Sequence, residues 1–101
     1  MAQFDVYANP DSATADLFPY FVDIQHPLHS TLDVRVVIPL TTDKVPFGRL
    51  TPQFEIAGAR LTLSPADIAG IPASVLQHPI ANLEAHRSEI IDAVDFLIQG
   101  F

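Results

Sequence analysis

The stretch QFEIAGARLTL, residues 53–63, sets two short apolar alternations on either side of Ala57-Gly58. Phe54 and Ile56 share one side before the pair, and Leu61 and Leu63 share it afterwards. Glycine supplies the positive φ that a tight hairpin needs, so the pattern predicts two antiparallel strands joined at Ala57-Gly58. The same style of reading extends upstream. DVRVVIPL, residues 33–40, is β-branched and largely apolar, which suits a strand covered on both faces. PYFVDIQ, residues 19–25, puts Tyr20, Val22 and Ile24 on one face. QFDVY, residues 3–7, sets Phe4 and Val6 against Gln3, Asp5 and Tyr7, the pattern of a half-buried edge strand.

Nine prolines punctuate the chain as far as Pro79 and leave pieces too short for most helices. Between them IPASVL, residues 71–76, predicts a further strand. TTDKVPFGRLT, residues 41–51, predicts an irregular, exposed connection. Only the last stretch escapes. NLEAHRSEIIDAVDFLI, residues 82–98, carries Leu83, the Arg87 stem, Ile90, Val94 and Leu97 at helical spacing, widened by Ile91 and Ile98. Asn82 is the expected N-cap, and Glu84 suits the dipole of the first turn. At the other end Gly100 fits a left-handed stop, with Phe101 packing back on Phe96 in a Schellman arrangement. An apolar tip held by such a cap loses little entropy when a partner covers it. The expected fold is mainly β with one C-terminal α-helix laid on a small antiparallel barrel-like sheet, in a single domain spanning residues 1–101.

Composition narrows the function. The formal charge is −7, from 12 acids against five Lys and Arg. Lys44, Arg35, Arg49, Arg60 and Arg87 stand singly, so no basic stripe offers itself to a phosphate backbone. An acidic surface favours a basic partner instead. The absence of cysteine excludes disulfide scaffolds, thiolate metal sites and cysteine nucleophiles. No apolar run approaches the roughly 20 residues that cross a bilayer, and the first residues lack the build of a secretion signal. A cytoplasmic protein without a membrane partner is expected. The high apolar share in so small a domain predicts a homodimer that covers the spare hydrophobic side.

Candidate chemistry is thin. His26 and His29 in HPLH have a spacing that could hold a metal on a helix, but Pro27 makes a turn the better reading. His86 and Glu89, one turn apart, read as a solvated pair, and His78 stands alone. Ser64-Pro65-Ala66-Asp67 reads as a capped turn, and no serine lies in a nucleophile motif. No catalytic residue, metal site or cofactor is nominated.

The order of these pieces is nonetheless specific. QFDVY, then FVDIQ and VVIPL, then IAGARLTL, IPASVL and the closing FLIQGF together resemble the CcdB family along essentially the full chain. The resemblance implies an SH3-like barrel of the CcdB/MazF type, a symmetric homodimer and a toxin of a toxin–antitoxin module. Such toxins are not enzymes. They bind the A subunit of DNA gyrase and trap its cleaved-DNA complex, and a CcdA-like antitoxin with a disordered tail neutralises them. The complex represses its own operon, touching DNA only through the antitoxin. By position, the gyrase-binding tip falls on Gln99, Gly100 and Phe101, with Gln99 where the best-known member has tryptophan. The antitoxin-binding surface falls on the HPLH loop and the helix face, at His26, Leu28, His29, Asp92 and Asp95. Two alternatives stay open: a MazF-like endoribonuclease on the same barrel, which needs phosphate-binding cations, and a CcdB-like protein that has lost gyrase poisoning.

Overall fold

The computed structural model describes residues 2–29, 31–43 and 47–100. Its elements run β1 (Asp5–Ala8), β2 (Tyr20–Asp23), β3 (Val34–Thr41), β4 (Gln53–Ile56), β5 (Ala59–Leu63), β6 (Ala69–Pro72), β7 (Pro79–Asn82) and α1 (Arg87–Gln99), with single 3-10 turns between several of them. All ladders are antiparallel, in the order β4-β5-β3-β2-β1-β7, and β6 also pairs with β3. The sheet curls into a half-barrel, and the helix joins its main core through Ile90 and Ala93. Mainly β with one C-terminal helix is therefore the observed class.

The hairpin forms where expected. Ala57 has φ +51 and Gly58 φ +82, the two positive values of a type I′ turn, whose twist matches that of the flanking strands. Phe54 faces Leu61 across the ladder, and with Ile56 and Leu63 both are buried in the main core.

The long strand β3 organises the rest. Val34 to Val37 pair with β6, whereas Leu40 and Thr41 pair with β5. Pro39 falls between the two ladders. Its carbonyl accepts a hydrogen bond from the Ser64 amide (3.0 Å), so the missing N–H points into the gap where β6 has ended and β5 begins. A proline is tolerated in this central strand because no ladder bond is lost. Both faces of β3 are covered, as its composition predicts. Ile38 and Leu40 join the main core, while Val37 packs with Tyr7 and Leu76 on the opposite face.

Three expectations are corrected. The first strand is no edge: β1 lies between β2 and β7, and Asp5 and Tyr7 on its second face are also buried. Tyr7 packs with Val37 and Leu76, and Asp5 Oδ1 accepts from Asn82 Nδ2 at 2.9 Å. The sheet also buries an ion pair. Arg35, 1% exposed, donates from Nε to Asp23 Oδ2 at 3.0 Å and again from Nη2. IPASVL is only half a strand, since β6 ends at Pro72 and Ala73–Val75 turns so that Leu76 plugs the second cluster. Finally, the helix starts at Arg87. Asn82 ends β7, and its Oδ1 accepts from the Glu84 amide (2.7 Å) in an Asx turn that leads into a 3-10 turn at Glu84–His86, whose N-cap is Leu83.

Candidate functional site: the helix tip and its flanking loops

The helical stripe is covered unevenly. Leu83, Ile90 and Ala93 are buried and Val94 packs against the main core, but Leu97 and Ile98 are 40% and 75% exposed, and Ile91 is also exposed. The sequence pattern treated these positions alike. What separates them is direction and position: Ile90, Ala93 and Val94 meet the main core, Ile91 lies off that face, and among the described residues no core residue comes from the last turn.

That bare turn is well terminated. Gly100 sits in the left-handed region (φ +80, ψ +8) and its N–H donates to the Phe96 carbonyl at 2.9 Å. That bond is of the αL-cap kind, and a Cβ at Gly100 would be strained by backbone conformation alone. Gln99 is the last helical residue and is exposed; the packing of Phe101 on Phe96 lies outside the described residues. A capped helix end thus presents Leu97, Ile98 and Gln99 to solvent.

Arg49 braces the same region from the side. Residues Gly48–Leu50 form a 3-10 turn, entered through Gly48 at φ +55 and tied by the Phe47 amide donating to Thr51 Oγ1 (2.6 Å). From this turn Arg49 reaches α1 and grips Asp92 with two bonds, Nε to Oδ2 at 2.9 Å and Nη2 to Oδ1 at 2.8 Å. The guanidinium also lies 4.8 Å from the centre of the Phe96 ring. Arg49's hydrogen bonds hold the Asp92 carboxyl below the usual carboxylate range, and the guanidinium is correspondingly pushed up. Asp92 is therefore engaged within the chain, while Asp95 stays exposed.

The HPLH loop is built differently. His26 Nδ1 accepts from the Leu28 amide (3.0 Å) and the His26 carbonyl from the His29 amide (2.9 Å), so the loop is a tight turn, as Pro27 implied. Buried Gln25 anchors it, donating to the His29 carbonyl at 2.8 Å and accepting from the Val36 amide at 2.9 Å. The Gln25 amide in turn donates to Asp23 Oδ1 at 3.0 Å, which ties the loop to the buried Arg35 pair. Leu28 is held up at 78% exposure. No hydrogen bond or ion pair joins this loop to α1 among the described residues, and none of their His, Asp or Glu side chains cluster in threes fit to hold a metal.

Sequence reasoning missed a cleft of about 320 Å³, whose walls include Leu17, Phe18, Phe47, Leu50 and Pro65, with Asp43 and Asp67 also lining it. Phe47 is 62% exposed, and Ser64 Oγ donates to Asp67 Oδ2 at 2.6 Å. Three separated loops contribute these residues, so no single motif announces them. The lone signal was an aromatic residue in an otherwise irregular connection.

A curled antiparallel half-barrel closed by one C-terminal helix, with an exposed and capped helix end, defines the class. The family model described as CcdB protein matches residues 3–100, nearly the whole chain, and the chain belongs to the CcdB family. It is accordingly a toxin of a toxin–antitoxin module. No helix among the described residues is long and apolar enough to cross a membrane.

Proposed function

We propose that this toxin binds the A subunit of DNA gyrase through the tip of α1 and traps the enzyme in its cleaved-DNA complex. The exposed last turn carries the reading: Ile98, at 75% exposure, sits immediately before Gln99 and the αL cap at Gly100. An apolar surface fixed in advance loses little freedom when covered, which is what a protein-binding poison requires. Gln99, Gly100 and Phe101 form the contact, and Leu97 and Ile98 supply apolar area that offsets the missing tryptophan. Expression in a gyrase-sensitive bacterium and in a gyrase-resistant strain tests this. Growth stops in the first alone; equal arrest in both moves the target elsewhere.

The toxin acts as a homodimer. Val34, 49% exposed, lies against Gly70 across the β3–β6 ladder, and Ile68, 41% exposed, stands two residues before that glycine. A second copy covers this spare apolar surface. The antitoxin is a single CcdA-like partner whose tail orders on binding, with basic residues among apolar anchors to suit a surface of charge −7. His26, Leu28, His29, Asp92 and Asp95 form its contact. The cleft beside Phe47 receives one of the anchors. The complex represses its own operon in the cytoplasm, with DNA touched by the antitoxin.

The toxin acts by binding and not by catalysis. Against the ribonuclease alternative stand the engaged cations: Arg35 is buried on Asp23, Arg49 is held by Asp92, and Arg87 lies 3.9 Å from Glu84. Cutting RNA needs cations free to hold phosphate.

A further inference from the structure

The geometry points to Arg49 as a positioning residue that fixes the last turn of α1, and with it the surface the tip offers to its target. The inference rests on the proposed role of that tip. Underneath, the helix is held by Ile90, Ala93 and Val94, all before its last turn. Beyond them the chain presents exposed Leu97, Ile98 and Gln99. The guanidinium of Arg49 enters where the packing ends.

Asp92 and Phe96 are four residues apart and so lie one above the other on the same helical face. A planar guanidinium can use its edge and its face together. The edge makes the two bonds to Asp92, at 2.9 and 2.8 Å, and the face covers the Phe96 ring at 4.8 Å. Lysine, a point charge on a flexible stem, cannot do both. Phe96 is also the residue whose carbonyl accepts the capping N–H of Gly100. Arg49 therefore holds the ring of the residue on which the cap is built. Its own placement is fixed by the turn at Gly48–Leu50, where Gly48 takes a φ of +55 that favours glycine.

An exposed ion pair contributes little to global stability, even with ideal geometry. Its consequence is local, so the test separates local order from folding. Arg49→Lys and Arg49→Ala are compared with the unaltered full chain by thermal unfolding, by amide hydrogen exchange along α1, and by binding to purified gyrase A subunit. Expected are melting temperatures within a few degrees of the parent, and unchanged exchange at Ile90 to Val94. Exchange at Leu97 to Gly100 becomes faster in both variants, and binding weakens by about tenfold, the scale of one lost preorganising contact. Unchanged exchange at Leu97 to Gly100 overturns the inference, and so does faster exchange with unaltered binding. If the unaltered chain does not bind the subunit, the gyrase reading fails, while the exchange data still decide whether Arg49 holds the tip.

Discussion

Arg35 and Asp23 form an ion pair inside the sheet, with both side chains withdrawn from solvent. Asp23 uses its other oxygen to hold the Gln25 amide, and Gln25 holds the His29 carbonyl. The pair therefore supports a surface loop as well as the second core cluster. Removing one partner leaves a buried charge, which costs about 3–5 kcal/mol. Arg35→Met should lower unfolding stability by that amount in chemical denaturation. Adding Asp23→Asn, which removes the orphaned charge but keeps an acceptor for Gln25, should recover part of the loss. A single variant as stable as the parent would show that the pair is only loosely formed.

Tyr7 lies beside this cluster, and its hydroxyl approaches Asp5 Oδ2 at 3.4 Å. Burial first, and the Asp5 charge second, push its pKa up to about 12. The unfolded tyrosine titrates near 10, so between these values the folded state binds the extra proton. Stability is then complete below pH 10 and falls as pH rises towards 12, by up to roughly 3 kcal/mol for a two-unit difference. Tyr7→Phe should flatten this alkaline slope. An unchanged slope in denaturation midpoints from pH 9 to 12 refutes the assignment.

At the hairpin, Ala57 sits at φ +51, where a side chain with Cβ is disfavoured. Ala57→Asn creates an Asn-Gly type I′ turn and should stabilise by up to about 1 kcal/mol. Gly58→Ala, at φ +82, should destabilise by about 1–2 kcal/mol through backbone strain alone, because its Cβ meets nothing within 4 Å. Opposite signs in thermal melts are the expected outcome.

The exposed apolar residues Val34 and Ile68 predict self-association. Sedimentation at micromolar concentration should give a species of twice the 11.0 kDa chain mass. A monomer there removes the homodimer from the account.

What the sequence disclosed follows the range of its physics. The type I′ hairpin and doubly covered β3 are legible because local pattern and final environment agree. Asp5 and Tyr7 read as a wet face because nothing nearby in sequence announces that Val37 and Leu76 pack on Tyr7 or that Asn82 binds Asp5. β7 was hidden behind Pro79, which the sheet accepts because it opens an edge strand beside a register shift, and behind Asn82, which resembles a helix cap. In the candidate site, the glycine stop at Gly100 was readable from residue type. Periodicity could not tell buried Ile90 from exposed Leu97, since it reports an apolar stripe and not what packs against each part of it. The hold of Arg49 on Asp92 and Phe96 spans more than forty residues and left no local trace.

The central claim is that the end of α1 meets gyrase, and binding of purified gyrase A subunit by the tip-truncated toxin tests it most directly. Deleting Gln99, Gly100 and Phe101 leaves Leu83, Ile90 and Ala93 in the core, so the fold and its circular dichroism should persist. Titration of the truncated and full chains against the subunit should then show at least a hundredfold loss of affinity, the scale of a hot-spot contact. Equal affinity of the two chains, with the fold intact, would contradict the account and put the contact on another surface.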